Sequence, residues 1–311
     1  LLHTEETCLI TNFFVHTLFQ YSQSCDIIIR ISSFKRSETA VEKIRRNERM
    51  SAMMKILSAS PNRIFTLSYF CDMFGAAKST MSEDIDILRD VVKTFHLGEL
   101  ETVTGAAGGV RYRAKVDRAA ALDYINSLCE RLSGENRVLP GSFLYYSDIL
   151  SAPQIVQRMG EILATEYYEQ APDFVLTMET KGIPVALMTA NALGVPLVIA
   201  RRSSKVYEGS AVNINYVSGS SGNIETMSLS RRAVKEGQRA LIIDDFLANG
   251  EAIEGLRSIV AQAGCELVGA GVCVEKGFQP GGRKLREEGV KVVSLAIVDA
   301  IEDGHIRLRD D

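Results

Sequence analysis

The segment best suited to chemistry is residues 240–252, where a short apolar run meets two adjacent carboxylates, Asp244 and Asp245. Such a run predicts a buried parallel strand. Two carboxylates at its carboxyl end can accept hydrogen bonds from vicinal hydroxyls, such as those of a ribose. The small residues that follow predict a turn and a helix start whose N–H groups face a phosphate. This predicted anion loop comprises Ala248, Asn249, Gly250, Glu251 and Ala252. The plain alternative is an ordinary strand–turn–helix connection with two solvated acids.

A second candidate anion site follows the predicted strand at residues 174–178. Its loop contains Thr180, Lys181 and Gly182, which combine a hydroxyl, a cation and a residue that permits close backbone approach. Pro184 in the first turn is typical of a helix start. A loop of this composition suits a diphosphate. Taken alone, it is equally compatible with a plain turn carrying a solvated lysine.

Two β-like arms at residues 212–217 and 224–230 flank a soft tip of Gly and Ser. Such a tip can close over a bound ligand, although an idle hairpin is the alternative. The expected loop residues are Tyr216, Ser218, Gly219, Ser220 and Ser221. Phe143, Tyr145 and Tyr146 form an aromatic cluster that precedes the predicted sheet in sequence; one could stack on a base, and we expect core packing for at least two of them.

Five short apolar runs, separated in part by helical spacing, must position these loops. They predict an α/β fold with a parallel sheet, whose ligands bind at the carboxyl ends of the strands. The runs are residues 174–178, 196–201, 240–243, 267–273 and 290–297.

The sequence that precedes the predicted sheet predicts three helices followed by a hairpin. Helices are predicted for residues 41–58 and 66–74, and a third begins at Thr80, with Glu83 completing a capping box. Strands at residues 99–104 and 110–113 form the hairpin. This order predicts an N-terminal winged helix.

The winged helix is a candidate DNA-binding domain. Residues 41–115 carry 12 Lys and Arg against 9 Asp and Glu, an excess of +3, so the remainder of the −4 chain carries −7. The excess is small and the third helix contains acids, so phosphate contacts should supply modest affinity; a winged helix used only for protein contacts is the alternative. The expected DNA contacts are Lys78, Ser79, Thr80, Ser82, Arg111 and Arg113.

Composition bounds the remaining possibilities. The length of 311 residues suggests two domains, and no apolar run is long enough to cross a bilayer. Six scattered cysteines without a CxxC pair predict reduced thiols in a cytoplasmic protein, and the four histidines form no ligand pair, so no metal site is expected. We divide the chain into an extension of uncertain order (1–40), the winged-helix domain (41–116) and an α/β domain (117–311) that opens with a linker helix (117–140).

Several segments in order resemble the purine operon repressor family of the phosphoribosyltransferase-fold type. They include residues 76–84, 103–110, 180–184, 205–210, 214–221, 226–229 and 241–246, and the resemblance covers about 270 residues. It implies a homodimeric DNA-binding repressor of purine synthesis and transport genes, with a type I phosphoribosyltransferase-like effector domain. It further implies that phosphoribosyl pyrophosphate (PRPP), with Mg²⁺, relieves repression and that transferase activity is absent. Guanosine tetraphosphate is an implied competitor, with Phe143 placed to stack on its guanine.

One departure from this family pattern concerns the anion loop. The family usually has Gly-Gly-Thr after the acids, whereas here Gly250 is followed by Glu251 and Ala252. A carboxylate therefore borders the phosphate site and a hydroxyl donor is lost. The rival hypotheses are an active purine phosphoribosyltransferase with an appended DNA-binding domain, and an RNA-binding attenuation protein on the same fold.

Overall fold

Three helices and a two-stranded hairpin come first in the computed structural model, which describes residues 44–105, 108–140, 143–203, 209–217, 222–302 and 305–309. The helices are α1 (Arg46–Ala59), α2 (Leu67–Phe74) and α3 (Lys78–Thr94). Strands β1 (Glu99–Val103) and β2 (Gly109–Arg113) pair antiparallel, and Phe65 adds a bridge to Val110. The predicted winged-helix arrangement is therefore present.

Local sequence signals account for the ends of α2 but not for the starts of α1 and α3. The Thr66 hydroxyl accepts a hydrogen bond from the Tyr69 N–H at the start of α2, and Gly75 ends that helix in the left-handed conformation, as predicted. The predicted capping box at Thr80 is wrong, because α3 already begins at Lys78 after Ala77. Helix α1 begins at Arg46 rather than at residue 41, because Arg45 is extended and its N–H donates to the Glu48 carboxylate.

A connecting region joins the winged helix to the sheet. The predicted linker helix is present as α4 (Arg118–Leu132), whose first turn is capped by the Asp117 carboxylate, but it ends eight residues before the predicted end at residue 140. A short hairpin follows, made of β3 (Val138–Leu139) and β4 (Phe143–Leu144). Helices α5 (Ser147–Leu150) and α6 (Pro153–Tyr167) complete the region, and α6 packs against α7 (Ile183–Leu193).

The α/β domain is built on a six-stranded sheet with the order β12-β11-β10-β9-β5-β6. All neighbours are parallel except β11 and β12, which confirms the predicted parallel sheet. The strands are β5 (Phe174–Met178), β6 (Leu197–Ala200), β9 (Arg239–Leu247), β10 (Glu266–Lys276), β11 (Val292–Glu302) and β12 (His305–Leu308). Helices α8 (Glu251–Gln262) and α9 (Gly281–Glu287) connect β9 to β10 and β10 to β11.

Side chains of β9 alternate between two apolar cores on the two faces of the sheet. Leu241 and Ile243 join the core that contains α6 and α7, whereas Ala240 and Ile242 join the core that contains α8. All four residues are fully buried. A strand covered on both faces loses its polar alternation, which is why this run is apolar at every position.

A separate hairpin packs on α8 from the side. Its strands are β7 (Ala211–Val217) and β8 (Ile224–Ser230), which pair antiparallel from Ala211 opposite Ser230 to Val217 opposite Ile224. This confirms the two predicted arms. The predicted tip residues Ser218, Gly219, Ser220 and Ser221 lie outside the described residues, as do positions 106 and 107 of the wing tip.

Cys71, Cys129, Cys265 and Cys273 are free thiols. The described part of the chain contains no helix that is both long and apolar enough to cross a membrane. Within the same residues, no group of His, Cys, Asp and Glu side chains is arranged to hold a metal ion.

Candidate functional site

A cleft of about 710 Å³ opens at the carboxyl ends of β5, β9 and β10. It brings together the two predicted anion loops, which are more than sixty residues apart in sequence, and both acids. Predicted residues that line it are Phe143, Thr180, Lys181, Tyr216, Asp244, Asp245, Ala248, Asn249, Gly250, Glu251 and Ala252. This volume is in the range of small-molecule sites.

The two acids differ sharply in environment. Asp244 is 7% exposed, whereas Asp245 is half-buried. The Asp245 N–H donates to Asp244 Oδ1 at 2.9 Å. Burial raises the pKa of Asp244 well above the ordinary carboxyl value, and the charge of Asp245 raises it further. Strand β9 continues four residues past its predicted end at Ile243, through both acids to Leu247, because β10 supplies pairing partners as far as Glu275.

The aromatic cluster departs from the expectation of core packing. Phe143 is 61% exposed and lines the cleft, and Tyr145 is 44% exposed, so the expectation that at least two of the three pack in the core is wrong. Only Tyr146 is buried, and its hydroxyl donates to Asp245 Oδ2. Phe143 therefore has a ring face available to a ligand at the cleft.

The predicted diphosphate loop (residues 180–182) approaches the acids closely at Gly182. A Cβ atom added there would lie 2.6 Å from Asp244 Oδ1 and 2.7 Å from Thr177 Oγ1. Both distances are too short for a side chain, so this position requires glycine. Lys181 lies next to it, with its Nζ 5.0 Å from the ring centroid of Tyr146.

The anion loop turns at Gly250, which has φ of +92° and caps α8. The N–H groups of the first α8 turn have no partner within the helix, as at any helix start. Glu251 is the first residue of α8, is half-buried, and forms no ion pair within the described part of the chain. As the first residue of α8 and part of the cleft lining, it brings a carboxylate to the helix start whose N–H groups are predicted to face a phosphate.

A second segment supports the anion loop from behind. The Gly281 N–H donates to the Ala248 carbonyl at 3.0 Å, and a Cβ on Gly281 would lie 2.4 Å from that oxygen. Helix α9 is itself held by Arg286, which binds both oxygens of the buried Glu275 at 2.8 and 2.7 Å. Contacts with α9, which is itself bound to β10, therefore help to fix the backbone of the anion loop.

Sequence reasoning missed several cleft residues that follow strand ends. Arg202 lies just beyond β6, Lys276 ends β10, and both line the cleft. Arg202 binds Glu225, and Glu225 also accepts from the Tyr216 hydroxyl at 3.0 Å. Burial, with that hydrogen bond, raises the pKa of Tyr216 to about 12. Counting charged residues at every strand end would have found Arg202 and Lys276.

The first turn of α3 presents the expected DNA contacts together. Lys78, Ser79 and Ser82 are exposed, and Thr80 is half-buried. The acids that follow are neutralised from α1. Asp84 is fully buried and lies 2.8 Å from Arg49, while Arg46 lies 2.9 Å from both Asp84 and Glu83. The expected repulsion of phosphates by these two acids is therefore reduced.

The two strand arginines are placed differently from expectation. Arg111 donates to its cross-strand neighbour Glu101 at 2.7 Å. The Arg113 side chain is only 13% exposed, and its guanidinium lies 5.1 Å from the ring centroid of Tyr168 and 3.7 Å from Glu169. Because Arg113 packs against the α/β domain, the structure does not support the expected DNA contact for it.

Known proteins resemble both parts of the chain. A model of the N-terminal domain of bacterial purine repressors matches residues 45–114, and a phosphoribosyl transferase domain model matches residues 145–305. The purine biosynthesis transcriptional repressor of Bacillus subtilis (strain 168) is 38% identical over 261 residues, which cover 84% of this chain and 90% of the relative. The corresponding transcriptional activator of Lactococcus lactis subsp. lactis (strain IL1403) is 38% identical over 256 residues, covering 82% and 94%.

The α/β domain also resembles enzymes. The xanthine phosphoribosyltransferase of Geobacillus thermodenitrificans (strain NG80-2) is 39% identical over 191 residues, covering 60% of this chain and 98% of the relative. The crystal structure of adenine phosphoribosyltransferase from Rhodothermus marinus superposes with a TM-score of 0.50 at 23% identity, covering 57% of this chain and 99% of that one. The fold of this domain is therefore phosphoribosyltransferase-like.

Proposed function

This chain belongs to the bacterial purine repressor family, and from that premise we propose that it is a DNA-binding transcriptional regulator of purine biosynthesis genes. In this proposal it represses purine synthesis and transport genes until PRPP binds the cleft. The observation that carries the proposal is one chain with both a winged helix and an intact acid pair facing two anion loops. It would act in the cytoplasm, where its DNA lies.

Support for the DNA-binding half comes from the first turn of α3. Lys78, Ser79 and Ser82 form an exposed set of donors that fits backbone phosphates. The domain excess of +3 is small, so we propose that two copies in a homodimer engage one operator together. The relatives include a repressor and an activator, so the sign of regulation is a separate part of the proposal.

Support for PRPP comes from the order of groups along the cleft. The acids Asp244 and Asp245 suit the ribose diol, the turn at Gly250 suits the 5′-phosphate, and Lys181 lies at the diphosphate end. In this proposal Mg²⁺ arrives with the diphosphate. Guanosine tetraphosphate would compete, because it carries phosphates and a base that could stack on the exposed ring of Phe143.

Catalysis of phosphoribosyl transfer is the second candidate function, and the likeness to xanthine phosphoribosyltransferase favours it. We propose that this chain lacks the activity. The anion loop replaces a small residue and a hydroxyl donor of the family pattern with Glu251 and Ala252, which weakens the hold on the 5′-phosphate during transfer.

The experiment is a fluorescence anisotropy titration of the full chain on duplex DNA from a purine-gene control region, with scrambled DNA as the control. We expect specific binding that weakens when PRPP and Mg²⁺ are added, but not when Mg²⁺ alone is added. Equal binding to both DNAs would contradict the regulator proposal. Steady product formation from PRPP and adenine, guanine, hypoxanthine or xanthine would support the enzyme instead.

A further inference from the structure

Tyr146 contacts two parts of the cleft that are proposed to face PRPP, the acid pair and the predicted diphosphate loop. It is 7% exposed, its hydroxyl donates to Asp245 Oδ2, and its ring stacks on Phe246 with centroids 5.8 Å apart. The Lys181 ammonium lies 5.0 Å from the same ring. One side chain therefore touches the acid pair through its hydroxyl and the diphosphate loop through its ring.

The backbone of Tyr146 is fixed, so the hydroxyl has a defined position. Its carbonyl accepts from the N–H groups of Ile149 and Leu150 at 3.1 and 3.2 Å, which anchors it at the start of α5. The stacked Phe246 follows Asp245 directly in β9. Both ends of the contact are thus held by rigid elements rather than by mobile loops.

The chemistry of the contact leaves Asp245 usable by a ligand. An ionised carboxylate has about four acceptor positions, and Tyr146 occupies one of them on Oδ2. The hydroxyl restricts rotation of the carboxylate, so less order is lost when a diol binds. The ring of Tyr146 acts separately, through its attraction for the Lys181 cation.

We propose that Tyr146 is a positioning residue that orients Asp245 for the ribose hydroxyls through its hydroxyl and holds Lys181 at the diphosphate end through its ring. The inference rests on the proposed binding of PRPP in this cleft. It assigns two separable tasks to one side chain, so substitutions can remove one task or both.

The test is calorimetric titration of the full chain with three probes: PRPP with Mg²⁺, ribose 5-phosphate, and inorganic pyrophosphate with Mg²⁺. In Tyr146→Phe the ring remains and the hydroxyl is lost. We expect PRPP and ribose 5-phosphate to bind about fivefold to tenfold more weakly, with pyrophosphate unchanged within about twofold. In Tyr146→Leu all three probes should weaken, because the ring is lost as well.

The matched control is Tyr145→Phe, since Tyr145 is 44% exposed and its hydroxyl forms no hydrogen bond within the described residues. Thermal unfolding of each variant checks that it folds. The inference would be overturned if PRPP and ribose 5-phosphate bound Tyr146→Phe as tightly as they bind the parent. It would also be overturned if pyrophosphate binding weakened as much as PRPP binding. A parent protein that binds none of the three probes would overturn the proposed function, and this assignment with it.

Discussion

The side-chain amide of Asn62 donates to the carbonyl oxygen of Leu193 at 2.7 Å, which joins the winged helix to the α/β domain. Asn62 lies in the turn between α1 and α2, and Leu193 is the last residue of α7. Helix α7 begins at Ile183, directly after the diphosphate loop, so it runs from the cleft to the DNA-binding domain over about 16 Å. A Cβ on the next residue, Gly194, would lie 2.5 Å from the Pro61 carbonyl, which shows how closely the two domains meet.

We expect Asn62→Gly to uncouple the cleft from DNA. Glycine keeps the φ of +59° at this position but removes the bond to Leu193. Affinities for PRPP and for DNA alone should change less than about twofold. The effect of PRPP on DNA affinity should fall from a typical coupling of about 1–3 kcal/mol toward zero.

Anisotropy titrations with and without PRPP measure that coupling. The control is Asn136→Gly, because Asn136 has a similar φ of +62° but is exposed and lies in the connecting region. An undiminished PRPP response in Asn62→Gly would exclude this bond as a coupling contact.

Replacing both acids by amides, Asp244→Asn with Asp245→Asn, should abolish the PRPP response while DNA binding persists. The amides keep the volume of the side chains but remove the charge that grips two hydroxyl donors. DNA release by PRPP from the double variant would place the effector pocket elsewhere.

Asp244→Asn alone should raise stability at neutral pH. The folded-state pKa of Asp244 is raised by burial, so ionising this carboxyl destabilises the folded protein progressively as the pH rises above the ordinary value of 3.8. We expect a gain at pH 7 that shrinks as the pH falls toward the ordinary carboxyl value. Urea unfolding at pH 7 and pH 5 measures it, with the exposed Asp123→Asn as the control. A gain that is equal at both pH values would contradict this linkage.

Lys78→Ala should weaken DNA binding across sequences and lower the salt slope by about one unit, because one phosphate contact is lost. Lys235→Ala removes the same charge from an exposed site in the α/β domain and should leave the slope unchanged.

Arg113→Ala should also leave the salt slope of DNA binding unchanged, but lower the free energy of unfolding through the lost contacts with Tyr168 and Glu101. A slope that drops in Arg113→Ala would instead support a DNA contact by Arg113.

Glu251→Gly should tighten PRPP binding by roughly 1 kcal/mol, about fivefold, because a like charge leaves the edge of the phosphate site. Ala252→Thr should add a hydrogen bond of similar or greater size by supplying a hydroxyl donor. Calorimetry of each variant against the parent measures both effects. If Glu251→Gly bound PRPP no better, the carboxylate would have to point away from the ligand.

The sheet and the two loops that line the cleft could be predicted because each is encoded locally. The run before Asp244 is apolar at every position, and such a run has few structural interpretations. The roles of Tyr146 and Arg113 could not be predicted, because their partners Asp245 and Tyr168 are remote in sequence and only tertiary packing brings them together. The capping box at Thr80 failed for a different reason: the helix began one residue after Ala77, which has no capping side chain.

The contact of Gly281 with the Ala248 carbonyl separates the shape of the anion loop from the identity of its side chains. The backbone course of the anion loop is held by a segment about thirty residues further along the chain, so side chains on the loop can be exchanged without loss of its shape. A substitution at Glu251, which lies on the loop, would then leave the backbone of the site in place. The residue that cannot be exchanged without moving the loop is the distant Gly281, because a Cβ there would lie 2.4 Å from the Ala248 carbonyl oxygen.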